Sequence, residues 1–284
     1  MENGGEDIVW CLRGRLVRFA PPVVMGVLNL TPDSFHAASR QASVDEALRT
    51  ADAMLTAGAA FLDVGGASSR PGAMEVPLEE ERKRAIPVVE ALHQRFPEAW
   101  ISIDTWRAPI AQEAVWAGAS VVNDISAGLM DDRMLPAVAK LAVPYILMHM
   151  QGNPRTMQEA PEYGNVVAEI MEFLGRRVLA ARAAGIADVA VDPGFGFGKT
   201  TEHNFSLLKD LRVLKQLGSP VLAGLSRKRM INSVLGTVPA NALNGTTILN
   251  TLALINGADI LRVHDVAPAM EAVKLLKAYG WERR

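Results

Sequence analysis

Polar side chains that could bind or activate a ligand recur at one kind of position in this 284-residue chain, directly at the end of short apolar runs. Carboxylates or carboxamides occupy this position at Asn29, Asp63, Asp104, Asn123 and Asp192. They suit a flat heterocycle with several N–H groups, because a carboxylate accepts paired hydrogen bonds and an amide both donates and accepts. One such residue after a strand is often only a helix N-cap, but five in equivalent places favour binding.

Basic side chains and glycines also follow the apolar runs, and they suit a different ligand. Arg70, Lys228, Arg262 and His264 lie in clusters of this second kind. Arginine and histidine beside glycine-rich backbone are typical of phosphate or pyrophosphate binding. Together the two sets predict a heterocycle linked to a pyrophosphate. The glycine run that ends at Lys199 lacks the spacing of a nucleotide-binding loop.

The elements that must position these residues alternate along the chain. Short β-branched or apolar runs predict eight strands, at residues 23–28, 60–64, 100–103, 120–123, 144–148, 188–191, 220–223 and 259–262. Amphipathic stretches predict helices at residues 44–57, 78–96, 108–117, 131–141, 166–184, 201–217, 240–256 and 268–279. Repeated strand–helix units indicate a parallel sheet, and eight of them match the (β/α)8 TIM barrel. An open doubly wound sheet is the alternative.

The chain is predicted to form one α/β domain. Residues 21–284 would form the barrel, and residues 1–20 would precede it as a short N-terminal hairpin that turns at Arg13 and Gly14 and closes the bottom of the barrel. The carboxyl ends of all barrel strands meet at one rim, where barrel enzymes place their active sites. We therefore expect the polar clusters to share one site at that rim.

Composition excludes several classes of protein. With 29 Lys+Arg against 31 Asp+Glu, the formal net charge is −2, and no basic block suggests a nucleic-acid or anionic membrane partner. The chain is 49% hydrophobic, but its apolar runs have strand length and fall short of the ~18 residues that a spanning helix needs. One cysteine and no secretory signal predict a cytoplasmic protein.

At these polar clusters the chain resembles the dihydropteroate synthases, pterin-binding enzymes of folate synthesis that sulfonamides inhibit. The resemblance extends from Val24 to the C-terminal helix, and its motifs are NLTPDSF, DVGGASSRPGA, IDT, ND, MHMQGNPRTMQ, DPGFGFGKT, LSRK and RVHDV. It implies a transferase that condenses p-aminobenzoate with 6-hydroxymethyl-7,8-dihydropterin diphosphate. The products would be 7,8-dihydropteroate and pyrophosphate, formed by dissociative substitution at the pterin methylene.

The resemblance also implies a role for each matching residue. The pterin pocket would comprise Asp63, Asp104, Asn123, Met148, Asp192 and Lys228. The pyrophosphate would contact Asn29, Arg70, Arg262 and His264, with Mg²⁺ bridging it to Asn29. The p-aminobenzoate pocket would use Phe35, Ser69, Arg70, Pro71, Phe197 and Lys228. Asp104, Lys228 and Arg70 would be the catalytic residues among them.

The resemblance further implies a homodimer formed through helices late in the chain, here residues 240–256.

Two departures from the family pattern bear on the site. Residues 36–40 read HAASR, so the acidic residue usual in the first loop is missing. Arg229 stands after Lys228, where serine is common in the family. Arg229 either meets the p-aminobenzoate carboxylate or lies solvated on the next helix.

Two other functions stay open from the sequence. A methyltetrahydrofolate-binding methyltransferase would share the barrel and the Asp/Asn pocket, but it needs no pyrophosphate site, and Arg70, Lys228 and Arg262 favour one. A non-catalytic pterin-binding paralogue is favoured only by the altered first loop. An assay for pyrophosphate release and dihydropteroate formation separates the three functions.

Overall fold

A closed barrel of eight parallel strands, ringed by helices, forms the body of the protein. The computed structural model describes residues 7–30, 40–67, 75–153, 156–157 and 160–281, with the backbone alone for residues 40–43. The strands are β1 (Ile8–Leu12), β2 (Arg15–Phe19), β3 (Val23–Asn29), β4 (Phe61–Gly65), β5 (Trp100–Asp104), β6 (Val121–Asp124), β7 (Tyr145–Met148), β8 (Val189–Asp192), β9 (Leu222–Ala223) and β10 (Ile260–Val263).

The helices connect these strands on the outside of the barrel. They are α1 (Arg40–Ala57), α2 (Leu78–Arg95), α3 (Ala108–Trp116), α4 (Met134–Leu141), α5 (Val166–Ala183), α6 (Thr201–Lys209), α7 (Arg229–Leu235), α8 (Leu243–Ile255) and α9 (Val266–Ala278), with 3-10 turns at Leu211–Leu217 and Pro239–Asn241. None of the described helices is both long and apolar enough to cross a membrane.

The strand order confirms the predicted barrel rather than an open sheet. Parallel pairing runs β8-β7-β6-β5-β4-β3-β10-β9. The two ends of this series then meet, because Val191 at β8 pairs in parallel with Val221, and the Val191 N–H donates to the carbonyl of Pro220 at 2.9 Å. The sheet therefore has no open edge.

Side chains alternate between the outer and inner faces of the barrel strands, and this alternation divides the buried residues into two sets. In β4, Leu62 and Val64 pack outward in the large core beneath the helices, whereas Phe61 packs in a separate cluster inside the barrel. Asp63 is two residues after Phe61 and so shares its inward face. The interior is consequently apolar near the amino ends of the strands and polar near their carboxyl ends.

The N-terminal hairpin closes the apolar end, as the sequence predicts. β1 and β2 pair antiparallel, and Ile8, Trp10 and Leu12 pack in the same interior cluster as Phe61. Arg13 at the turn, with φ 49°, donates to the carbonyls of Pro97, Ala99 and Gly118 at 2.6–3.1 Å. These bonds fasten the hairpin to the barrel.

Three details of the helix prediction are wrong. The helix predicted over 201–217 divides into α6 and a 3-10 turn, because Asp210 between them adopts φ −102°, ψ 18°. The short helix α7 was not predicted, and α8 begins at Leu243 rather than at residue 240. A seven-residue helix is too short for a 3.6-residue period to stand out.

The packing of the hairpin side chains inside the barrel predicts how substitutions in the hairpin change the stability of the protein. We expect Trp10→Ala to lower the free energy of unfolding by about 3–5 kcal/mol, because the substitution leaves a cavity where a 2%-exposed side chain packs edge-on against Phe61. Leu16→Ala on the same hairpin is the control, since Leu16 is 81% exposed. Urea unfolding followed by circular dichroism measures both. Equal stability of the two variants would contradict the plugging role of Trp10.

Candidate active site

Strand register brings several predicted site residues to the polar end of the barrel. Asn29 lies opposite Gly65, Gly65 lies opposite Asp104, and Asp104 lies opposite Asn123. A Cβ added to Gly65 would lie 3.6 Å from the Asp104 Cβ and 3.8 Å from Asn29 Oδ1. Glycine between them thus leaves Asn29 and Asp104 facing a common space.

Arg262 lies at the centre of this group and joins two carboxylates. Its Nε donates to Asp63 Oδ2 at 2.6 Å, and its Nη2 donates to Asp104 Oδ2 at 2.5 Å. Asp63 is fully buried and accepts a further bond from Asn123 Nδ2 at 3.1 Å. The sequence assigned Arg262 to pyrophosphate and the others to pterin, but the structure connects all four residues in one network.

The charged groups in this network shift one another's pKa values. Burial raises the pKa of Asp104 to about 7; Arg262 opposes the rise, whereas the nearby carboxylates of Asp63, Glu81 and Asp124 add to it. Burial would lower the pKa of Arg262, but Asp63 and Asp104 outweigh burial and raise it. Arg262 is therefore a permanent cation, and Asp104 is a carboxylate that protonates near neutral pH.

The opposite wall of the pocket comes from β7, β8 and the loop after β9. Met148 lies opposite Asp192, whose Oδ1 accepts the Gly194 N–H at 2.7 Å, and burial raises the pKa of Asp192. Lys228 Nζ donates to the carbonyl of Phe195 and lies 4.7 Å from the ring centre of Phe197. Burial lowers the pKa of Lys228 to about 8, and Asp192 opposes this effect.

His264 connects the first and last strands of the barrel. Its Nε2 lies 3.3 Å from Asn29 Nδ2, and its Nδ1 lies 3.0 Å from the hydroxyl of Ser226. The backbone N–H of His264 also donates to that hydroxyl at 3.2 Å. The predicted pair of Asn29 and His264 is thus together at the rim, and Ser226 is a supporting residue that sequence reasoning left without a role, although it lies in the LSRK motif.

Apolar side chains complete the pocket wall. Met148 and Trp106 are buried in one cluster with Ala67 and Ile125, and Phe197 packs against it. Trp106, which follows Asp104 by two positions, therefore lies beside Met148 at the border of the site. Apolar walls with a few convergent hydrogen-bonding groups are typical of small-molecule sites.

A buried lysine that the sequence left without a role fastens the glycine-rich loop. Lys199 is 2% exposed, and its Nζ contacts the carbonyls of Gly194 and Phe197 at 2.9 and 3.0 Å and His149 Nδ1 at 3.0 Å. Burial, with help from Lys199, lowers the pKa of His149 to about 3, so its ring is neutral. Gly194, at φ +67°, has no room for a side chain, because a Cβ there would lie 1.9 Å from the His149 carbonyl oxygen.

Some predicted site residues cannot be placed in this geometry. Phe35, Ser69, Arg70 and Pro71 lie outside the described residues, as do residues 36–39. Arg229 is exposed at the first position of α7. Within the described part of the chain, no three His, Cys, Asp or Glu side chains form a group that could hold a metal ion.

The arrangement suits a ligand with two chemically different ends. Buried oxygen acceptors line one side, at Asp104, Asn123 and Asp192, and cations stand beside them at Arg262 and Lys228. Arg262 uses Nε and Nη2 on carboxylates, so its planar fork retains N–H donors for an anion. The site can thus bind a flat N–H donor and an anionic group side by side.

Comparison with known proteins agrees with this chemistry. Residues 25–264 match the family described as Pterin binding enzyme. The dihydropteroate synthase of Escherichia coli strain K12 is 45% identical over 268 residues, which cover 94% of this chain and 94% of that protein.

Solved structures show the same similarity over the whole length. The dihydropteroate synthase of Yersinia pestis, in complex with a sulfonamide drug, superposes with a TM-score of 0.90 at 42% identity and covers 96% of this chain and 99% of its own. The enzyme of Xanthomonas albilineans with 4-aminobenzoic acid also has a TM-score of 0.90 at 42% identity, with coverage of 97% and 99%.

Proposed function

The chain belongs to the dihydropteroate synthase family of pterin-binding enzymes, transferases of folate synthesis, and from this premise we propose how its own residues perform the family's reaction. The substrates are p-aminobenzoate and 6-hydroxymethyl-7,8-dihydropterin diphosphate. The products are 7,8-dihydropteroate and pyrophosphate. The observation that carries the proposal is the buried network in which Arg262 joins Asp63 and Asp104 beside Asn123.

We propose that the pterin lies among the buried acceptors. Asp192 accepts hydrogen bonds from the amino and ring N–H groups, and Asn123 both donates and accepts. Met148 and Trp106 supply an apolar wall for the flat ring. Asp63 holds Asn123 and Arg262 in place through its Oδ2, while its Oδ1 is buried with no hydrogen-bond partner among the described residues.

The pyrophosphate is proposed to lie at the rim against Asn29, Arg262 and His264, with Arg70 from the loop beyond the described residues. Asn29 would hold Mg²⁺ through its carboxamide oxygen, and substrate oxygens and water would complete the shell, since Mg²⁺ commonly binds few protein ligands beside phosphates. The donor set fits this mode, because the Asn29 carboxamide oxygen and the Asp104 carboxylate face a common space beside Gly65. Bound Mg²⁺ would supply charge neutralisation for the leaving pyrophosphate.

The main contribution of the protein to the substitution is proposed to be the stabilisation of the charges that develop. The C–O bond between the pterin methylene and pyrophosphate breaks first, and both electrons leave with the pyrophosphate. Arg262 and His264 stabilise the departing anion, while the Asp104 carboxylate stabilises the cationic pterin. The amine of p-aminobenzoate then forms the new C–N bond and releases one proton to water.

The p-aminobenzoate is proposed to lie beside Phe197 and Lys228, whose Nζ stands 4.7 Å from the centre of the Phe197 ring. Phe35, Ser69, Arg70 and Pro71, all beyond the described residues, are proposed to complete that pocket. The ammonium of Lys228 stands between this pocket and Asp192, so it is placed to contact both substrates.

We also propose that the protein is a homodimer. Three apolar residues of α8, Ile248, Leu252 and Ile255, are exposed at helical spacing on one face, and no charged residue occurs in that helix. Val234 and Leu235 of α7 extend the exposed apolar surface. A second copy of this chain would cover it.

A cytoplasmic location is proposed as well, on the support of the free Cys11.

The function is tested by an assay for dihydropteroate and pyrophosphate with both substrates and Mg²⁺. Asp192→Asn should weaken pterin diphosphate affinity by about 10–100-fold, because a hydrogen bond to a charged group contributes about 1.5–3 kcal/mol. Asp188→Asn is the control, since Asp188 directly precedes β8, at the end opposite Asp192, and accepts the Cys11 N–H. Binding of the pterin without turnover would instead favour a non-catalytic paralogue. An unchanged rate in EDTA would exclude the proposed use of Mg²⁺.

The pH profile of kcat/KM should have a maximum between about 7 and 8. Below about pH 7 the Asp104 carboxylate protonates and no longer stabilises the cation, and above about pH 8 Lys228 loses its charge. Lys228→Arg should move the alkaline limb upward by more than about one pH unit, because a guanidinium stays protonated. If that limb stays in place in the variant, Lys228 is not the group responsible for it.

The dimer is tested by sedimentation equilibrium. Leu252→Arg should convert the dimer to monomers, since it places a charge in the buried face. Leu179→Arg on α5 is the matched control, because Leu179 is an exposed leucine on another helix. A monomeric parent protein, or a Leu252→Arg variant that stays dimeric, would refute the proposed interface.

A further inference from the structure

The loop between β9 and α7 contains an arginine whose contacts hold the loop to neighbouring segments. Arg227 donates from Nε and Nη2 to both oxygens of Asp265, at 2.8 and 2.9 Å. Its Nη1 donates to the carbonyls of Pro239 and Ala240 at 2.8 and 3.0 Å. Its backbone N–H donates to the hydroxyl of Thr246 at 3.0 Å. One residue thus fastens the loop to three other segments.

Two adjacent residues of this loop contact two adjacent residues of the loop after β10. Ser226 contacts His264, and the next residue, Arg227, contacts the next residue of the other loop, Asp265. The loop after β9 carries Lys228, and the loop after β10 carries His264. The two contacts therefore fix the distance between a residue on the pterin side of the site and a residue on the pyrophosphate side.

The backbone of Arg227 supports the same interpretation. Its φ is 57°, in the left-handed region that is sterically unfavourable for a non-glycine residue. Such strain persists only where surrounding contacts impose it, and it concentrates at functional sites. Here the left-handed turn lets the Arg227 guanidinium bind Asp265 while Lys228, the next residue, reaches Phe195 within the site.

We infer that Arg227 and Asp265 are positioning residues that set the spacing between Lys228 and His264, and so hold the two ends of the pterin diphosphate in register. This inference rests on the proposed function for its substrate. A displacement of about 1 Å in such a site lowers the rate by as much as 10²-fold. The pair acts through Lys228 and His264 and has no contact of its own with the substrate.

The experiment compares Arg227→Met, Asp265→Asn and the double variant with the parent protein. Each single variant should lower kcat/KM for the pterin diphosphate by about 10–100-fold at a temperature where it stays folded, and should weaken pyrophosphate affinity in calorimetry. The double variant should be no worse than the poorer single variant, because both substitutions break the same contact. Asp265→Asn preserves side-chain shape, so it serves if Arg227→Met does not fold.

The control is Arg82→Met. Arg82 donates from its Nε to the two carboxylate oxygens of Glu113, at 3.0 and 2.7 Å, and this pair joins α2 to α3. Its exposure, 30% and 29%, resembles the 26% and 23% of Arg227 and Asp265. It should lower the melting temperature and leave kcat/KM unchanged.

The outcomes separate the inference from the proposed function. Failure of the parent protein to form dihydropteroate would refute the function, and pyrophosphate affinity would then decide the inference. The inference is overturned if Arg227→Met behaves like Arg82→Met, if the losses of the two single variants multiply in the double variant, or if the parent binds no pyrophosphate.

Discussion

The placement of one guanidinium between two buried carboxylates is the interaction on which the site depends. Asp63 and Asp104 lie on neighbouring strands and face the same interior, where two unpaired negative charges would repel each other at low polarity. Arg262 reaches them from β10, with β3 between it and β4, and pairs with both. Loss of one partner from such a buried pair typically costs about 3–5 kcal/mol. The acidic pocket is stable because this cation is part of it.

The same cation explains how an acidic pocket accepts an anionic substrate. Arg262 neutralises part of the charge of Asp104 and retains N–H donors for pyrophosphate, so one residue serves both ends of the ligand. Asp104 in turn keeps a raised pKa, because burial and three other carboxylates disfavour its charge. A carboxylate held in this state gains most from a neighbouring positive charge, which is the charge that develops on the pterin as pyrophosphate leaves.

The barrel supports this site through the two-residue period of its strands. Phe61 and Asp63 share the inward face of β4, and the first packs on Trp10 of the hairpin while the second meets Arg262. Burial of the apolar end stabilises the barrel, so the polar end can hold groups that bind ligand instead of packing tightly. Among the described loops at that end, the glycine-rich loop after β8 is held by the buried contacts of Lys199, and the loop after β9 by the partly buried contacts of Arg227.

The amino-acid sequence by itself determined the class of fold, the order of the strands and the convergence of Asn29, Asp63, Asp104, Asn123 and Asp192 on one rim. These features follow from local periodicity and from the rule that parallel barrel strands end on the same side. The tertiary structure alone decided which of these residues pair. Arg262 and Asp63 are 199 positions apart, and Arg227 and Asp265 are 38 positions apart, so no local sequence pattern predicts either contact. The contact of the buried Lys199 with His149 was missed for the same reason, since the two residues are 50 positions apart. The helix α7 was missed because its 7 residues are too few for a helical period to show.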